Sequence, residues 1–243
     1  MKTAPWLLVA PGELEEGATL VLDPAEARHA SGLLRRRPGD EVTLVDGTGL
    51  VAEATLVSIG RRRSEVVVRH VRSEPESSDP GVVLALAVLD GSAMDWAVGK
   101  AVEVGVRRLR PVLTERVQPN RRGLARRGAH WRRIALQAIK QCHRPWAMEV
   151  SEPQSLGGLI EEENPLGGGI VADRSGCPVD HLASAARNLL LVGPEGGFSA
   201  TENSLLAESG WPRLRLGVHV LRAETAAIVG SAMLAARLDS PYE

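Results

Sequence analysis

The pattern of hydrophobic and polar positions changes near residue 80. Before that point, short apolar runs alternate with turn residues, and Asp46-Gly47 between two of these runs is a strong hairpin signal. A helix is predicted to begin at Pro24, because proline suits the first helical turn. Short strands at such close spacing predict a small β-barrel domain over residues 1–72. The predicted strands are Thr19–Leu22, Glu41–Val45, Leu50–Ile59 and Glu65–Val71.

From residue 81 strand-like and helix-like segments alternate, which is typical of an α/β domain. Val82–Leu89 predicts a buried strand. The apolar residues that follow it have helical spacing from Met94 until Gly105 ends the helix. A long basic helix is predicted at Leu124–Cys142.

Residues 73–80 are polar, contain Pro75 and Pro80, and show no periodicity. Such a segment is typical of a linker between domains. The sequence therefore predicts a β-rich domain at residues 1–72, a linker at residues 73–80 and an α/β domain at residues 81–243.

The stretch from Leu189 to Thr225 contains two strand-like runs that each end in glycine. Leu189–Val192 is continuously apolar, as expected for a strand covered on both faces, and Gly193-Pro194-Glu195-Gly196-Gly197 follows it. Ser199-Ala200-Thr201-Glu202 then predicts a capping box at the start of a helix. Leu214–Gly217 repeats the pattern of strand and glycine, and Glu224-Thr225 opens an apolar helix. Because ligands of α/β sheets bind just past the carboxyl ends of strands, these loops predict a pocket lined mainly by backbone.

The composition indicates an ordinary globular protein, with 44% hydrophobic residues. Two cysteines, Cys142 and Cys177, cannot form a disulfide framework and favour a reducing compartment. The apolar segment Trp6–Ala10 is too short for a secretory signal, and no apolar run approaches the length of a membrane span. The expected location is therefore the cytoplasm.

The net charge of −1 hides a strong segregation of charge along the chain. Residues 107–144 contain twelve basic residues against one acidic residue, Glu115, whereas residues 145–243 contain six basic and thirteen acidic residues. A polyanion such as a nucleic acid would suit the basic surface. A solvated helix whose charges meet acidic groups elsewhere in the fold explains the same composition, and charge alone leaves both interpretations open.

Several common ligand motifs are absent. No Gly-Lys-Ser/Thr follows the glycine loop, as a P-loop would require, and no GxGxxG follows a strand. Cys142-His143 and the pair Cys177 and His181 could supply zinc ligands, but the two pairs lie far apart and the first is too tight for the usual ligand spacing. No metal is expected.

The two glycine loops resemble the signature of a known family. GPEGGFSATE followed by LGVHVLRAETA resembles the paired motif of the RsmE family, the bacterial 16S ribosomal RNA uracil-N3 methyltransferases. Further similarity in AMDWAVGKAVEVGVRRLRPVLTERV and HWRRIALQAIKQCHR extends it over nearly the whole chain, with residues 145–169 matching least. The resemblance implies a SPOUT-type α/β trefoil-knot methyltransferase domain preceded by a PUA-like RNA-binding domain. It also implies S-adenosylmethionine as cofactor, small-subunit (16S) ribosomal RNA as partner and a homodimer.

The resemblance also assigns candidate site residues. Uracil N3 must lose a proton before it can accept a methyl group, and an arginine would stabilise the developing anion. The catalytic candidates are Arg222, Arg144 and Glu224. The residues expected to bind the cofactor are Ala172, Val192, Gly193, Glu195, Gly196, Gly197, Leu216, Gly217, Leu221 and Thr225. Those expected to bind RNA are His29, Arg35, Arg36, Lys100, Arg116, Arg126 and Arg127.

The chain departs from the family pattern at several places, including Ala223, where the family often has threonine although alanine also fits. His143 stands where the family often has a glycine, and Val218-His219 where it often has Pro-Arg. Glu224 either holds Arg222 in place or caps the last helix, and Glu195 either orders its loop or touches the cofactor.

Two other functions remain open from the sequence. One is a SPOUT methyltransferase acting on a different RNA or atom, and the other is an RNA-binding or ribosome-assembly protein without catalysis. Free RNA and an assembled subunit are both possible substrates.

Overall fold

The computed structural model describes residues 4–33, 36–60, 63–78, 81–116, 121–182 and 188–238. Its contacts divide the chain into two compact units. The first comprises Met1–Ser78 and Leu136–Ala147, and the second comprises Asp79–Ala135 and Met148–Glu243. No described helix is both long enough and apolar enough to cross a membrane.

In the described residues of the first unit, five strands form one sheet in the order β1-β3-β4-β5-β2. The strand β1 pairs in parallel with β3, and the other neighbours are antiparallel. The predicted β-rich character of this region is confirmed. The strands are β1 Trp6–Leu8, β2 Thr19–Val21, β3 Glu41–Val45, β4 Leu50–Ser58 and β5 Glu65–Ser73.

The predicted hairpin joins β3 and β4. The Asp46 carboxylate accepts hydrogen bonds from the N–H and hydroxyl of Thr48, at 2.8 and 2.7 Å, and from the Leu50 N–H at 3.3 Å. The predicted helix also begins at Pro24, as α1 (Pro24–Arg28), with Asp23 accepting a hydrogen bond from the Ala25 N–H. A π-helical turn, His29–Leu33, continues it. The strand β1 was not predicted.

The second unit has the α/β character that the alternating pattern predicted, and its described strands form a parallel sheet. Its strand order among the described residues is β12-β10-β11-β6-β7-β8, and β9 also pairs with β7. All four residues of β11 are buried, in agreement with the apolar run at Leu189–Val192. The strands are β6 Val83–Ala87, β7 Arg108–Leu113, β8 Glu149–Val150, β9 Gln154–Ser155, β10 Ile170–Cys177, β11 Leu189–Val192 and β12 Arg213–Leu214.

The helices follow the predicted positions, with small changes at their ends. Gly105 follows the helix α2 (Gly91–Glu103) in a left-handed conformation (φ 86°) and ends it, as predicted. The last helix lies close to β11 because Gly230 has no Cβ, which would otherwise stand 2.5 Å from a Leu190 methyl carbon. The helices are α2 Gly91–Glu103, α3 Arg121–Cys142, α4 Leu156–Glu163, α5 Ala200–Glu208 and α6 Ala223–Leu238.

Candidate functional site

The first glycine loop connects β11 to α5. Within it, Gly197 adopts a left-handed conformation (φ 70°), and its N–H donates to the Pro194 carbonyl at 2.8 Å. The Ser199 hydroxyl accepts from the Glu202 N–H at 3.1 Å, and the Glu202 carboxylate accepts from the Ser199 N–H at 2.8 Å. The predicted capping box is therefore confirmed in both of its hydrogen bonds, and it fixes where the loop ends.

Glu202 has a second role that local sequence could not reveal. Its side chain is buried, and its other oxygen accepts a hydrogen bond from the Glu115 N–H at 2.9 Å. Because Glu115 follows β7, one carboxylate holds the start of α5 against the segment beyond a different strand.

The second glycine loop differs from its prediction. The strand expected at Leu214–Leu216, before Gly217, ends at Leu214, and Arg215 makes one more backbone bond, from its N–H to the Cys177 carbonyl at 2.9 Å. The expected strand is wrong in length because its partner β10 ends at Cys177 and offers nothing further to pair with. The chain beyond is open to solvent, with Val218 85% exposed.

The two loops border a cleft of about 830 Å³ that lies beyond the carboxyl end of β11 and beside the middle of β10. A smaller cavity of about 120 Å³ shares part of its wall. The large cleft is lined by Ala172, Asp173, Val192, Gly193, Pro194, Glu195, Gly197, Phe198, Asn203, Val220, Leu221, Arg222, Ala223 and Ala226. The small one is lined by Ala172, Asp173, Arg174, Leu216, Gly217, His219, Val220, Leu221 and Ala226.

Most residues expected to bind the cofactor lie in these walls. The large cleft contains Ala172, Val192, Gly193, Glu195, Gly197 and Leu221. The small cavity contains Leu216 and Gly217. Gly196 and Thr225 are in neither wall. The Gly196 carbonyl instead accepts a hydrogen bond from the Arg116 guanidinium, so this residue ties the loop to the segment after β7.

Of the three catalytic candidates, Arg222 and Glu224 belong to the second unit and Arg144 to the first. Arg222 lines the cleft with its side chain 82% exposed, and its Nη1 lies 4.0 Å from Oε1 of Glu224. The other carboxylate oxygen of Glu224 is buried and has no hydrogen-bond partner among the described residues. Arg144 belongs to the first unit, beside the end of α3.

The residues expected to bind RNA are spread over both units. His29 begins the π-helical turn, Arg36 is half-buried, and Arg35 lies outside the described residues. Lys100 forms an ion pair with Glu103 at 2.7 Å. Arg126 and Arg127 lie on α3, and their side chains have no hydrogen bond or ion pair within the described part of the chain.

Asp173 is a cleft residue that sequence reasoning missed. Its carboxylate accepts hydrogen bonds from the N–H and hydroxyl of Ser175, both at 2.8 Å, and pairs with the Arg213 guanidinium. Desolvation raises the pKa of Asp173, but the bonds from Ser175 and Arg213 outweigh it, and the pKa lies below the ordinary 3.8. The cleft therefore keeps a fixed negative charge. An acidic residue directly after Ala172, a predicted cofactor-binding residue, was the available signal.

Asp173→Asn should change how stability depends on pH. Because the pKa of Asp173 is lower in the folded state than the ordinary 3.8, the ionised carboxylate stabilises the fold at pH values above 3.8. This stabilisation is lost as the pH falls through the folded-state pKa. We expect the variant to be about 1 kcal/mol less stable at neutral pH, with the gap closing in acid. Urea unfolding over a pH series measures this, with Asp180→Asn on an exposed turn as the control. A gap that persists at the lowest pH would contradict the charge-based account.

Metal-ligating side chains do not cluster in the described residues. No three His, Cys, Asp or Glu side chains there could share a metal ion. Cys142 and Cys177, singled out in the sequence, form no disulfide bond within the described part of the chain.

Comparison with known proteins identifies the two parts of the chain. Residues 22–69 match the family described as RNA methyltransferase PUA domain, and residues 76–235 match the family described as RNA methyltransferase domain. The chain is 30% identical over 251 residues to ribosomal RNA small subunit methyltransferase E of Synechocystis, covering 96% of this chain and 78% of that protein.

Solved structures agree with the sequence matches. A methyltransferase of Legionella pneumophila, in complex with the bound cofactor SAM, superposes with a TM-score of 0.85 at 28% identity. The ribosomal RNA small subunit methyltransferase E of Neisseria gonorrhoeae, bound to S-adenosyl methionine, gives a TM-score of 0.82 at 28% identity. Both comparisons cover 97% of this chain and 98% of the other. The predicted fold class, a PUA-like domain before a SPOUT-type α/β domain, is confirmed, while the knot stays a prediction. Matches of this extent show that the chain belongs to the ribosomal RNA small subunit methyltransferase E family.

Proposed function

We propose that this protein transfers a methyl group from S-adenosylmethionine to N3 of a uridine in small-subunit ribosomal RNA. The observation that carries the proposal is the cleft beyond β11 and beside β10. Two glycine loops border it, and Arg222 lies in its wall, in a chain of this family. Ligands of α/β sheets bind at this position.

The residues of the cleft fit the cofactor. Its volume of about 830 Å³ lies within the range of small-molecule sites. Gly193 and Gly197 present backbone to the cleft, which suits the donors and acceptors of an adenine, while Val192 and Leu221 add apolar surface. The carboxylates of Asp173 and Glu195 would favour the positive charges of the cofactor. When bound, S-adenosylmethionine supplies an activated methyl group.

The protein's own task is then to orient the base and favour its anion. A uridine within structured RNA must leave its stack to reach the cleft. Arg222 is exposed in the cleft wall, and its guanidinium is always charged, so it can meet the uracil oxygens as negative charge develops. Arg144 and Glu224 remain candidates for the same reaction.

A direct test measures methyl transfer from labelled S-adenosylmethionine to small subunits and to free 16S ribosomal RNA, followed by nucleoside analysis. Labelled 3-methyluridine is the expected product. A different methylated nucleoside would favour the alternative of another atom or another RNA. Cofactor binding without any transfer would favour a non-catalytic RNA-binding or assembly protein.

Gly193→Ala should weaken cofactor binding. A Cβ at this position would stand 2.8 Å from Cε2 of Phe198, so the ring would have to move, and both residues line the cleft. Overpacking of this kind costs about 1–3 kcal/mol, and we expect a roughly 5- to 150-fold loss of S-adenosylmethionine affinity by calorimetry. Gly157→Ala on α4, where a Cβ meets no atom within 4 Å, is the control. Equal affinity in both variants would remove this loop from the site.

Salt dependence should reveal the RNA-binding face. Arg126 and Arg127 have no side-chain partner among the described residues, so they are available for phosphates. The paired change Arg126→Ala and Arg127→Ala should lower the log–log slope of RNA affinity against salt by about 0.7–0.9 for each lost contact. Arg108→Ala is the control, because Arg108 already pairs with Glu149 at 2.8 Å. A slope near zero in the parent protein would favour the solvated-helix interpretation.

The proposal also covers the oligomeric state, the knot, the cellular location and the form of the substrate. We infer a homodimer and a trefoil knot from the family resemblance, and the cytoplasm, where ribosomes are made, as the location. An assembled subunit rather than free RNA is the proposed substrate. The two substrates in the transfer assay distinguish these, and sedimentation measures the oligomeric state.

A further inference from the structure

The helix α3 ends in an unusual way. The Arg144 N–H donates to the Ile139 carbonyl at 3.0 Å, which is the bond that closes a Schellman motif. The residue before it, His143, takes the left-handed position of that motif with φ 55°. Among the described residues it is the one non-glycine residue with a positive φ. Glycine is the usual residue here, because a Cβ is strained in this conformation.

The imidazole of His143 lies flat on the indole of Trp6. The ring centroids are 5.0 Å apart and the planes differ by 12°. His143 is exposed and Trp6 is half-buried. The indole therefore stacks on one face of the imidazole, and the opposite face is its outer face. Both residues belong to the first unit.

We propose that the outer face of His143 stacks on an unpaired base of the RNA substrate. Proteins recognise single-stranded RNA by stacking splayed bases on aromatic and histidine side chains. A ring already held on Trp6 loses little freedom when a base adds to the stack. The adjacent Arg144 adds positive charge for the backbone, and residues 22–69 of the same unit match an RNA methyltransferase PUA domain.

The structural alternative is that the Trp6 contact only offsets the strain at His143. In that case the glycine variant loses nothing in RNA binding. The backbone conformation supports a functional reading, because strain at an exposed position is retained where the side chain contributes something that glycine cannot. The inference rests on the proposed RNA substrate and names one contact to it.

The test compares His143→Gly with the parent protein on two ligands. One is a short pyrimidine-rich single-stranded RNA, and the other is the same RNA made abasic, which keeps the phosphates and removes the bases. We expect His143→Gly to weaken binding of the first about tenfold or more, within the range reported for one stacked base. The loss should be equal at every salt concentration, because stacking releases no counterions. Binding of the abasic RNA should not change.

Two further variants sharpen the result. His143→Phe keeps a ring and should retain most of the affinity, and Trp6→Ala should lose it. His143→Gly suits the left-handed position, so its unfolding curve should match or exceed the parent's. The proposal would be overturned if His143→Gly lost equal affinity for both RNAs or lost affinity for neither. It would also be overturned if the parent protein bound both RNAs equally well. Methyl transfer is measured separately, so an inactive parent that still binds bases through His143 would contradict only the proposed reaction.

Discussion

Arg222→Ala is expected to slow methyl transfer by roughly 10²–10³-fold, the usual effect of removing one electrostatic donor from an active site. Cofactor affinity should change much less. The guanidinium lies in the wall of the cleft, and its side chain is 82% exposed. Because negative charge develops on the uracil only as the reaction proceeds, this contact would be stronger in the transition state than in the ground state.

The competing account makes Arg222 a partner of Glu224. Their closest charged atoms are 4.0 Å apart, and Glu224 has only 14% of its side chain exposed. If that pair merely stiffens the loop, Glu224→Gln should cost as much as Arg222→Ala, and cofactor affinity should fall in step with turnover. The long distance and the exposed guanidinium favour the catalytic account, since exposed pairs contribute little.

Single-turnover methylation and calorimetry on Arg222→Ala, Arg222→Lys and Glu224→Gln separate the two accounts. Lysine should rescue only part of the rate, because it keeps the charge but loses the planar fork of donors. Arg108→Ala, outside the walls of both cavities, controls for the loss of a positive charge elsewhere on the protein. A full-rate Arg222→Ala enzyme would remove this residue from the mechanism.

Elements with local signals were predicted well. The glycine loop, the capping box of Ser199 and Glu202 and the strand Leu189–Val192 each depend on residues a few positions apart. The hydrogen bonds of the loop and of the capping box form within the segment, and the strand shows as a continuous apolar run, so the local sequence predicts all three. The same reasoning placed the hairpin at Asp46, where the carboxylate closes its own turn.

Features that depend on distant partners were not predictable in this way. The second oxygen of Glu202 accepts a hydrogen bond from the Glu115 N–H, and the carboxylate of Asp173 pairs with the Arg213 guanidinium. The strand β12 is short because of where β10 ends, which its own residues do not encode. Alternation of apolar residues shows that a segment can be a strand, while its partner decides how far it pairs.

A buried ion pair in the first unit is another feature that depends on residues far apart in the sequence. Lys140 Nζ lies 2.6 Å from Oε1 of Glu26, with 7% and 4% of the two side chains exposed. The other oxygen of Glu26 accepts from the Leu8 N–H at 3.2 Å. One carboxylate therefore joins β1, α1 and the end of α3, and 114 residues separate the ion-pair partners in the sequence.

Glu26→Gln is expected to lower the free energy of unfolding by about 3–5 kcal/mol, because it leaves the Lys140 ammonium buried without a countercharge. Denaturant unfolding followed by tryptophan fluorescence and circular dichroism measures this. Trp6 and Trp146 report on the first unit. Glu74→Gln, which breaks the exposed pair with Arg72, is the matched control and should cost under about 1 kcal/mol.

The double variant Glu26→Leu with Lys140→Met decides what the pair contributes. Two apolar side chains of similar length remove both desolvated charges, and such replacements are often neutral or stabilising. We expect the double variant to recover most of the stability that Glu26→Gln loses, apart from the hydrogen bond of the Leu8 N–H. If the double variant stays as unstable as the single one, the carboxylate's bond to the Leu8 N–H, rather than the ion pair, holds these elements together.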